Sequence, residues 1–378
     1  MKNIFGLLFV VLIIFPLKGI TQSKPPSPPN IAAKGYLLID FKSGKILAEQ
    51  ASSEKLDPAS ITKLMTAYTV FKSIKSGQIG LDDEVLISEK AWRTQGSRMF
   101  IEAGKKVKVT DLLKGMIIQS GNDASVALAE HAAGTEETFV QIMNQLAIDL
   151  GMSNTNYTNS TGLSNNNHYT SASDIAKLAK ALIEEFPDYY RWYSEKQYTF
   201  NGIKQSNRNS LLWRDESVDG IKTGYTENAG YCLVASAERE GMRLISIVLG
   251  TESASARSSE SQALLNYGFR FYETYSLWGE NESISNERVW KGESDSTELV
   301  VKNQIFVTLP RNNKNRVIIK KIINEVITAP INTNTKLGSI QAELDGEIIA
   351  KASLYSSEII NEGNFFTNAW DELLILLK

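Results

Sequence analysis

The chain has 378 residues, of which 42% are hydrophobic and 22% charged, and its formal net charge is −3. That length leaves room for a large core and more than one domain, and the near-neutral charge excludes a general attraction to nucleic acid. The lone cysteine, Cys232, excludes an intrachain disulfide framework; its apolar neighbours Tyr231, Leu233 and Val234 mark it as a small core residue.

In chain order, Lys2 and the apolar run over residues 4–17 read as a secretory signal, too short for a comfortable membrane span. Gly19 and Thr21 are small, without a clean A-x-A cleavage pattern. The body of the protein is therefore expected outside the cytoplasm, on the periplasmic or envelope side. Residues 23–30 are proline-rich and read as a linker. A hairpin is predicted around Lys42-Ser43-Gly44. From about Ile61 the residues Ile61, Leu64, Met65, Tyr68 and Phe71 recur at helical spacing, with Ser60 at the N-terminus. Thr110 is expected to cap a helix running towards Gln119, and a break at Ser120-Gly121-Asn122 precedes another over 123–133, stopped by Gly134. Ser173 or Asp174 is expected to cap a helix through Ile175, Leu178 and Leu182. Two strands, 231–237 and 242–249, form a meander beside Lys222-Thr223-Gly224, and a closing helix spans about 259–273.

After about Leu277 short β-like stretches dominate, and Asp345-Gly346 marks a hairpin turn. The predicted layout is signal 1–22, linker 23–31, catalytic domain 32–277, all-β domain 278–357 and tail 358–378. In the tail, Trp370, Leu373, Leu374 and Leu377 share one helical face. That face fits either a membrane surface or the protein itself. Asp371 and Glu372, largely opposite, argue against strong membrane affinity.

Three motifs carry the chemistry: Ser60-Ile61-Thr62-Lys63, Ser120-Gly121-Asn122 and Lys222-Thr223-Gly224. Each alone is weak, but the ordered set is specific. A serine nucleophile needs a base. The two histidines, His131 and His168, lack a setting that points to a triad and read as structural or surface residues. Lys63, three residues after Ser60 on an inward helical face, is the alternative. Burial and a second cation, Lys222, would lower its pKa until it can accept the serine proton. Ser60 at a helix start also lies where developing negative charge is favoured. Lys222 and Thr223 offer a cation and a hydroxyl for a peptide carboxylate. Gly224 is read as letting substrate approach the backbone closely.

The ordered set resembles the signature of penicillin-binding proteins and serine β-lactamases. With residues 96–100 (GSRMF), 118–124 (IQSGNDA), 207–209 (NRN) and 218–225 (VDGIKTGY), the chain from about residue 32 resembles the low-molecular-mass D-alanyl-D-alanine carboxypeptidases of the penicillin-binding protein 5 and 6 type. The resemblance implies an α/β (α+β) transpeptidase-like domain, its antiparallel sheet flanked by helices, then a small all-β domain and an amphipathic anchor. It implies Ser60 as acylated nucleophile, Lys63 as base and Ser120 as proton relay. It places Asn122 on the substrate backbone and beside Lys63, and Lys222, Thr223 and Arg208 on the terminal carboxylate. The N–H groups of Ser60 and Tyr225, beside Gly224, would form the oxyanion hole, and Arg257 would lie near the cleft. Peptidoglycan stem peptides and β-lactams are the implied ligands; no metal or other cofactor is implied. Tyr225 stands where some relatives carry histidine. A β-lactamase, an endopeptidase acting on cross-links and a non-catalytic envelope scaffold are the competing readings. No E-x-x-L-N element lies between the second and third motifs, which disfavours the first; the retained catalytic set disfavours the last.

Overall fold

A computed structural model of the chain describes residues 25–377; the signal-like segment lies outside them. Five antiparallel strands form the central sheet, in the order Ile46–Gln50, Gly35–Asp40, Met242–Thr251, Gly230–Arg239, Val218–Thr226. Alternate residues of these strands enter two cores, as a period of two demands. Leu37, Ile39, Val234, Ile245 and Ile247 face the helical side, whereas Leu38, Leu233, Leu244 and Val248 face the helix Ala254–Phe271. Cys232 is fully buried in the helical-side core, and burial pushes its thiol up to about 11. The helix Lys63–Lys75 runs through that same core, with ten of its residues buried.

Local capping differs from expectation at three helices. Thr110 is not a cap: its helix begins at Val109, and its hydroxyl donates instead to the Leu81 carbonyl at 2.8 Å. The helix Ala172–Glu185 is capped by Ser171, whose hydroxyl accepts from the Asp174 N–H; the Asp174 carboxylate meanwhile holds the Asn154 N–H and the Thr155 hydroxyl. The closing helix starts at Ala254, five residues earlier than its apolar pattern shows, because Ser253 caps it. The proline-rich stretch is not a free tether over its described part. Ile31 is buried, and the Tyr267 hydroxyl donates to the Pro26 carbonyl at 2.9 Å.

Strand Tyr272–Trp278 pairs with Ile305–Pro310, so the junction between units falls at residues 271–272, ahead of the 277 read from the sequence. A second antiparallel sheet follows, in the order Glu282–Arg288, Ser296–Val301, Glu347–Ser356, Lys336–Leu344, Ile318–Ile323. Its core is built on Trp278, Leu299, Ile340 and Leu354. Asp345 and Gly346 both have positive φ, as a tight hairpin turn requires. The two units meet at the buried Asp40 carboxylate. It accepts from the hydroxyls of Ser43 (2.8 Å) and Thr274 (2.7 Å), and both of these also bond to the Thr308 hydroxyl.

The tail forms the helix Phe365–Leu376, capped by Asn364. Asp371 is buried and accepts the Lys291 N–H at 2.5 Å, with Arg288 beside it, and Glu372 pairs with the Lys291 ammonium. The acidic residues thus face the protein. Phe365, Phe366, Trp370, Leu373 and Leu376 are exposed. Among the described residues no helix is long and apolar enough to cross a membrane.

Candidate active site

Ser60 sits in a single 3-10 turn, Ala59–Thr62, which feeds directly into the Lys63–Lys75 helix. Three residues on, Lys63 is 1% exposed, and its Nζ lies 3.1 Å from Ser60 Oγ. The same Nζ donates to Asn122 Oδ1 (2.7 Å) and to the Thr161 carbonyl (2.5 Å). Burial pulls the Lys63 amine down to about 7; the nearby Arg208 cation adds to the fall and Asp123 opposes it. An amine with that pKa is half neutral at physiological pH and can accept a proton.

The second motif is positioned by an irregular helix. A wide turn, Gly115–Gln119, ends at Ser120 in the left-handed region (φ 69°, ψ 35°), and the next helix starts at Asn122. A non-glycine residue held there is strained by roughly 1–2 kcal/mol. That conformation directs the Ser120 hydroxyl at Lys222, whose Nζ donates to it at 2.9 Å. Asn122 is oriented without ambiguity. Its Nδ2 donates to the Gln95 carbonyl (2.6 Å), leaving Oδ1 for Lys63. The Asp123 carboxylate accepts the N–H groups of Met99 and Phe100, pinning the 96–101 loop over the motif.

The third motif lies on Val218–Thr226, the edge strand of the sheet. Lys222 is buried and its pKa falls well below the ordinary lysine value, first through burial and then through Lys63, Arg208 and Arg257. Gly224 has a packing reason of its own. A Cβ there would lie 3.0 Å from the Pro58 carbonyl and 3.2 Å from Ala59 Cβ and Ile61 Cγ1. The protein's own serine-bearing turn packs against Gly224, which also lines the cleft. Arg208 is held between two buried asparagines: Asn207 donates to the Glu195 carbonyl and Asn209 to the Gly220 carbonyl. Arg257 is buried, donates to the Gly224 carbonyl at 3.1 Å and lies over the Tyr231 ring. Tyr225 is half exposed and stacks on Tyr231, with ring centroids 4.3 Å apart.

Ser60, Ser120, Asn122, Arg208, Thr223, Tyr225 and Arg257 line one cavity of about 720 Å³, with Lys63 and Lys222 immediately behind it. No carboxylate is among the described lining residues. Of the two histidines, His131 lies near Asp83 on the surface, whereas His168 is buried against Thr62. The part of the site not read from sequence is the 158–163 segment, which brings the Thr161 carbonyl to Lys63. Its one sequence signal is Gly162, whose φ is +85° and whose Cβ would clash with the Ala59 carbonyl at 1.8 Å.

A serine, a partly neutral lysine and a cationic, carboxylate-free cleft define a site built for acyl transfer through serine on a substrate ending in a carboxylate. Comparison with known proteins agrees. The family described as D-alanyl-D-alanine carboxypeptidase matches residues 22–253, and the penicillin-binding protein 5 C-terminal domain matches residues 272–362. The chain is 42% identical over 359 residues to the D-alanyl-D-alanine carboxypeptidase DacA of Escherichia coli, covering 93% of this chain and 89% of that one. It is 35% identical over 381 residues to DacF of Bacillus subtilis, covering 97% of each. Penicillin-binding protein 5 from Haemophilus influenzae superposes with a TM-score of 0.86 at 40% identity, covering 89% of this chain and all of that one. The chain belongs to the D-alanyl-D-alanine carboxypeptidase family.

Proposed function

We propose that the chain removes the terminal D-alanine from peptidoglycan stem peptides through an acyl-enzyme on Ser60, and that β-lactams acylate the same serine. The observation that carries this reading is the pair of buried lysines flanking two serines, Lys63 on Ser60 and Lys222 on Ser120. Burial disfavours a proton on either amine, and Lys63 is among the charges that lower Lys222. The substrate carboxylate, received by Thr223, Arg208 and Lys222, supplies the counter-charge that keeps the proton on Lys222. Lys63 stays neutral, takes the proton of Ser60 Oγ as it attacks the D-Ala-D-Ala carbonyl, and the N–H groups of Ser60 and Tyr225 hold the oxyanion. The proton taken up by Lys63 passes on through Ser120, held by Lys222, to the departing D-alanine nitrogen, which leaves Lys63 neutral again. Water, giving a proton to Lys63, then cleaves the ester, and that proton returns to Ser60 Oγ.

Mass spectrometry after exposure to penicillin, paired with D-alanine release from a pentapeptide, tests this. A lasting adduct on Ser60 together with free D-alanine is expected. Penicillin hydrolysis without a lasting adduct would make the protein a β-lactamase, and release of cross-linked dimers alone would make it an endopeptidase.

The pH dependence has a defined sign. Lys63 must be neutral to act, so acylation falls about tenfold per pH unit below about 7 and levels off above it. Penicillin acylation rates measured across this range check the limb; a flat profile through pH 7 would remove Lys63 as the base.

We also propose that the tail helix seats the molecule on the membrane surface, with the amino-terminal segment directing export. The acidic residues that argued against membrane affinity are turned to Arg288 and Lys291, and the outward face is aromatic and aliphatic. Co-sedimentation with phosphatidylethanolamine–phosphatidylglycerol vesicles is expected for the full chain and lost in the Phe366→Ser/Trp370→Ser double variant. Equal binding by both would refute the anchor.

A further inference from the structure

His168 has no part in the reaction as described, yet it is 2% exposed and bonded to the turn that carries the nucleophile. Its Nδ1 lies 3.0 Å from the Thr158 backbone nitrogen and its Nε2 lies 2.7 Å from Thr62 Oγ1. A backbone N–H only donates, so Nδ1 is the acceptor and the ring proton resides on Nε2, donated to Thr62. The tautomer is thereby fixed by the fold. Tyr157 packs edge-on against the ring, 5.7 Å between centroids. A proton on Nδ1 would face the Thr158 N–H donor against donor, with only the Thr158 hydroxyl, 3.1 Å away, left to accept it. Burial accordingly pulls the imidazole down to about 4, with Asp57 opposing and Lys63 adding to the fall.

Both partners of this ring adjoin Lys63. Thr62 precedes it in the chain and is itself 1% exposed. Thr158 opens the segment whose Thr161 carbonyl accepts from Lys63 Nζ. One small ring thus ties together the two backbone segments between which the lysine amine is held. The segment has further ties: the Asn159 carboxamide oxygen accepts the N–H groups of Thr161 and Gly162, which shapes the loop internally, and the Ser160 carbonyl accepts the Thr66 hydroxyl one turn beyond Lys63; the ring is the tie to the Ser60 turn itself.

We propose that neutral His168, protonated on Nε2, is a positioning residue for acylation: it clamps the Thr62 turn to the Thr158–Thr161 segment and so keeps the Lys63 amine dry and within reach of Ser60 Oγ. It touches neither substrate nor the reacting atoms. The proposal rests on Lys63 being the base. The charged groups acting on Lys63 are Arg208, Asp123 and Lys222, and none of them contacts the His168 ring. Loosening the clamp admits water to Lys63. Since burial is the largest cause of its low pKa, rehydration raises it, and the rising limb of the acylation profile moves to higher pH.

The experiment is the penicillin acylation rate against pH for the full chain and three variants, with a melting curve for each. His168→Ala removes both bonds. His168→Gln keeps a donor to reach Thr62, and His168→Asn keeps an acceptor for Thr158. The expected result for alanine is a rate roughly 10–100-fold lower at neutral pH, the size of a small misplacement of reacting groups, with the limb displaced upward by about one unit. Glutamine is expected to restore most of the limb position and asparagine less, since the Thr62 bond spans to the nucleophile turn. If His168→Ala does not fold, Thr62→Val, which removes the bond from the other side at nearly constant shape, is expected to show the same upward displacement. A wild-type limb in whichever of these variants folds, with any rate loss matched by a fall in melting temperature, would reduce His168 to a structural residue and overturn the proposal. Absence of a penicillin adduct in the wild type would instead strike the reading of Ser60 and Lys63 themselves.

Discussion

Lys63→Arg is expected to acylate with penicillin at least roughly a thousandfold more slowly than wild type, although it keeps the charge and adds donors. Guanidinium does not give up its proton in a protein. An arginine there could still hold Asn122 Oδ1 and the Thr161 carbonyl, so the expected loss is of the base and not of the local bonds. Lys63→Met, which leaves an uncharged chain of similar length in the buried slot, is expected to lose as much. The two together separate proton acceptance from electrostatics. If arginine retained more than about a tenth of the rate while methionine lost it, the lysine would be acting as a fixed charge, and the base would have to be sought elsewhere, with Lys222 the other buried amine of the site.

The largest expected effect on stability comes from Gly162→Ala. The residue has a φ of +85°, which costs an L-residue roughly 1–2 kcal/mol. The added methyl would also stand 1.8 Å from the Ala59 carbonyl oxygen and 2.9 Å from Thr62 Oγ1. The first of these is backbone, so the turn or the loop must move. Overpacking adds roughly 1–3 kcal/mol, for a total near 3 kcal/mol. The movement separates Ala59–Ser60 from Thr161–Gly162, the two segments that meet at Lys63, so acylation is expected to fall about 100-fold even where the protein remains folded. Gly134→Ala is the control. Its φ is +78° and nothing lies within 4 Å of the added atom, so it is expected to cost about 1 kcal/mol with no change in acylation. Denaturant midpoints and penicillin acylation rates on both variants measure this. Equal costs for the two would show that backbone strain alone accounts for Gly162.

What could be read from the sequence follows from what kind of group does each job. Ser60 and Lys63 are legible because three residues on a helix set their separation, and the inward face of Leu64 and Ala67 predicts the burial that lowers the lysine. Lys222 and Ser120 are legible as motif members, but their 2.9 Å bond crosses from the edge strand to a left-handed turn that spacing does not reveal. The Thr161 carbonyl is silent, since a backbone acceptor has no residue type. Gly224 signals a close approach in the sequence, but the Ser60 turn that packs on it is distant along the chain and is not legible there. His168 was read as structural or surface because its environment is polar in sequence; burial came from Thr62 and Tyr157, which are distant along the chain or cross the ring edge-on. In the second unit, Glu282–Arg288 escaped notice because most of its side chains are polar and only partly covered, leaving no alternation to read. In the tail, a helix wheel does not tell which face meets protein: Asp371 and Glu372 pair with Arg288 and Lys291.

The carboxylate and hydroxyls shared by Asp40, Ser43, Thr274 and Thr308 have a consequence for how far the enzyme reaches. Swinging one unit away from the other would break the two bonds that cross the joint, Thr274 to Asp40 and Ser43 to Thr308, at a buried carboxylate, so the joint resists bending. With the tail on a membrane, as proposed above, the cleft is carried at a set height over it, as a blade is held at the end of a stiff arm. A softened joint, as in Thr274→Ala/Thr308→Ala, would leave turnover of a small dissolved peptide untouched while changing which layer of an immobilised wall polymer is trimmed.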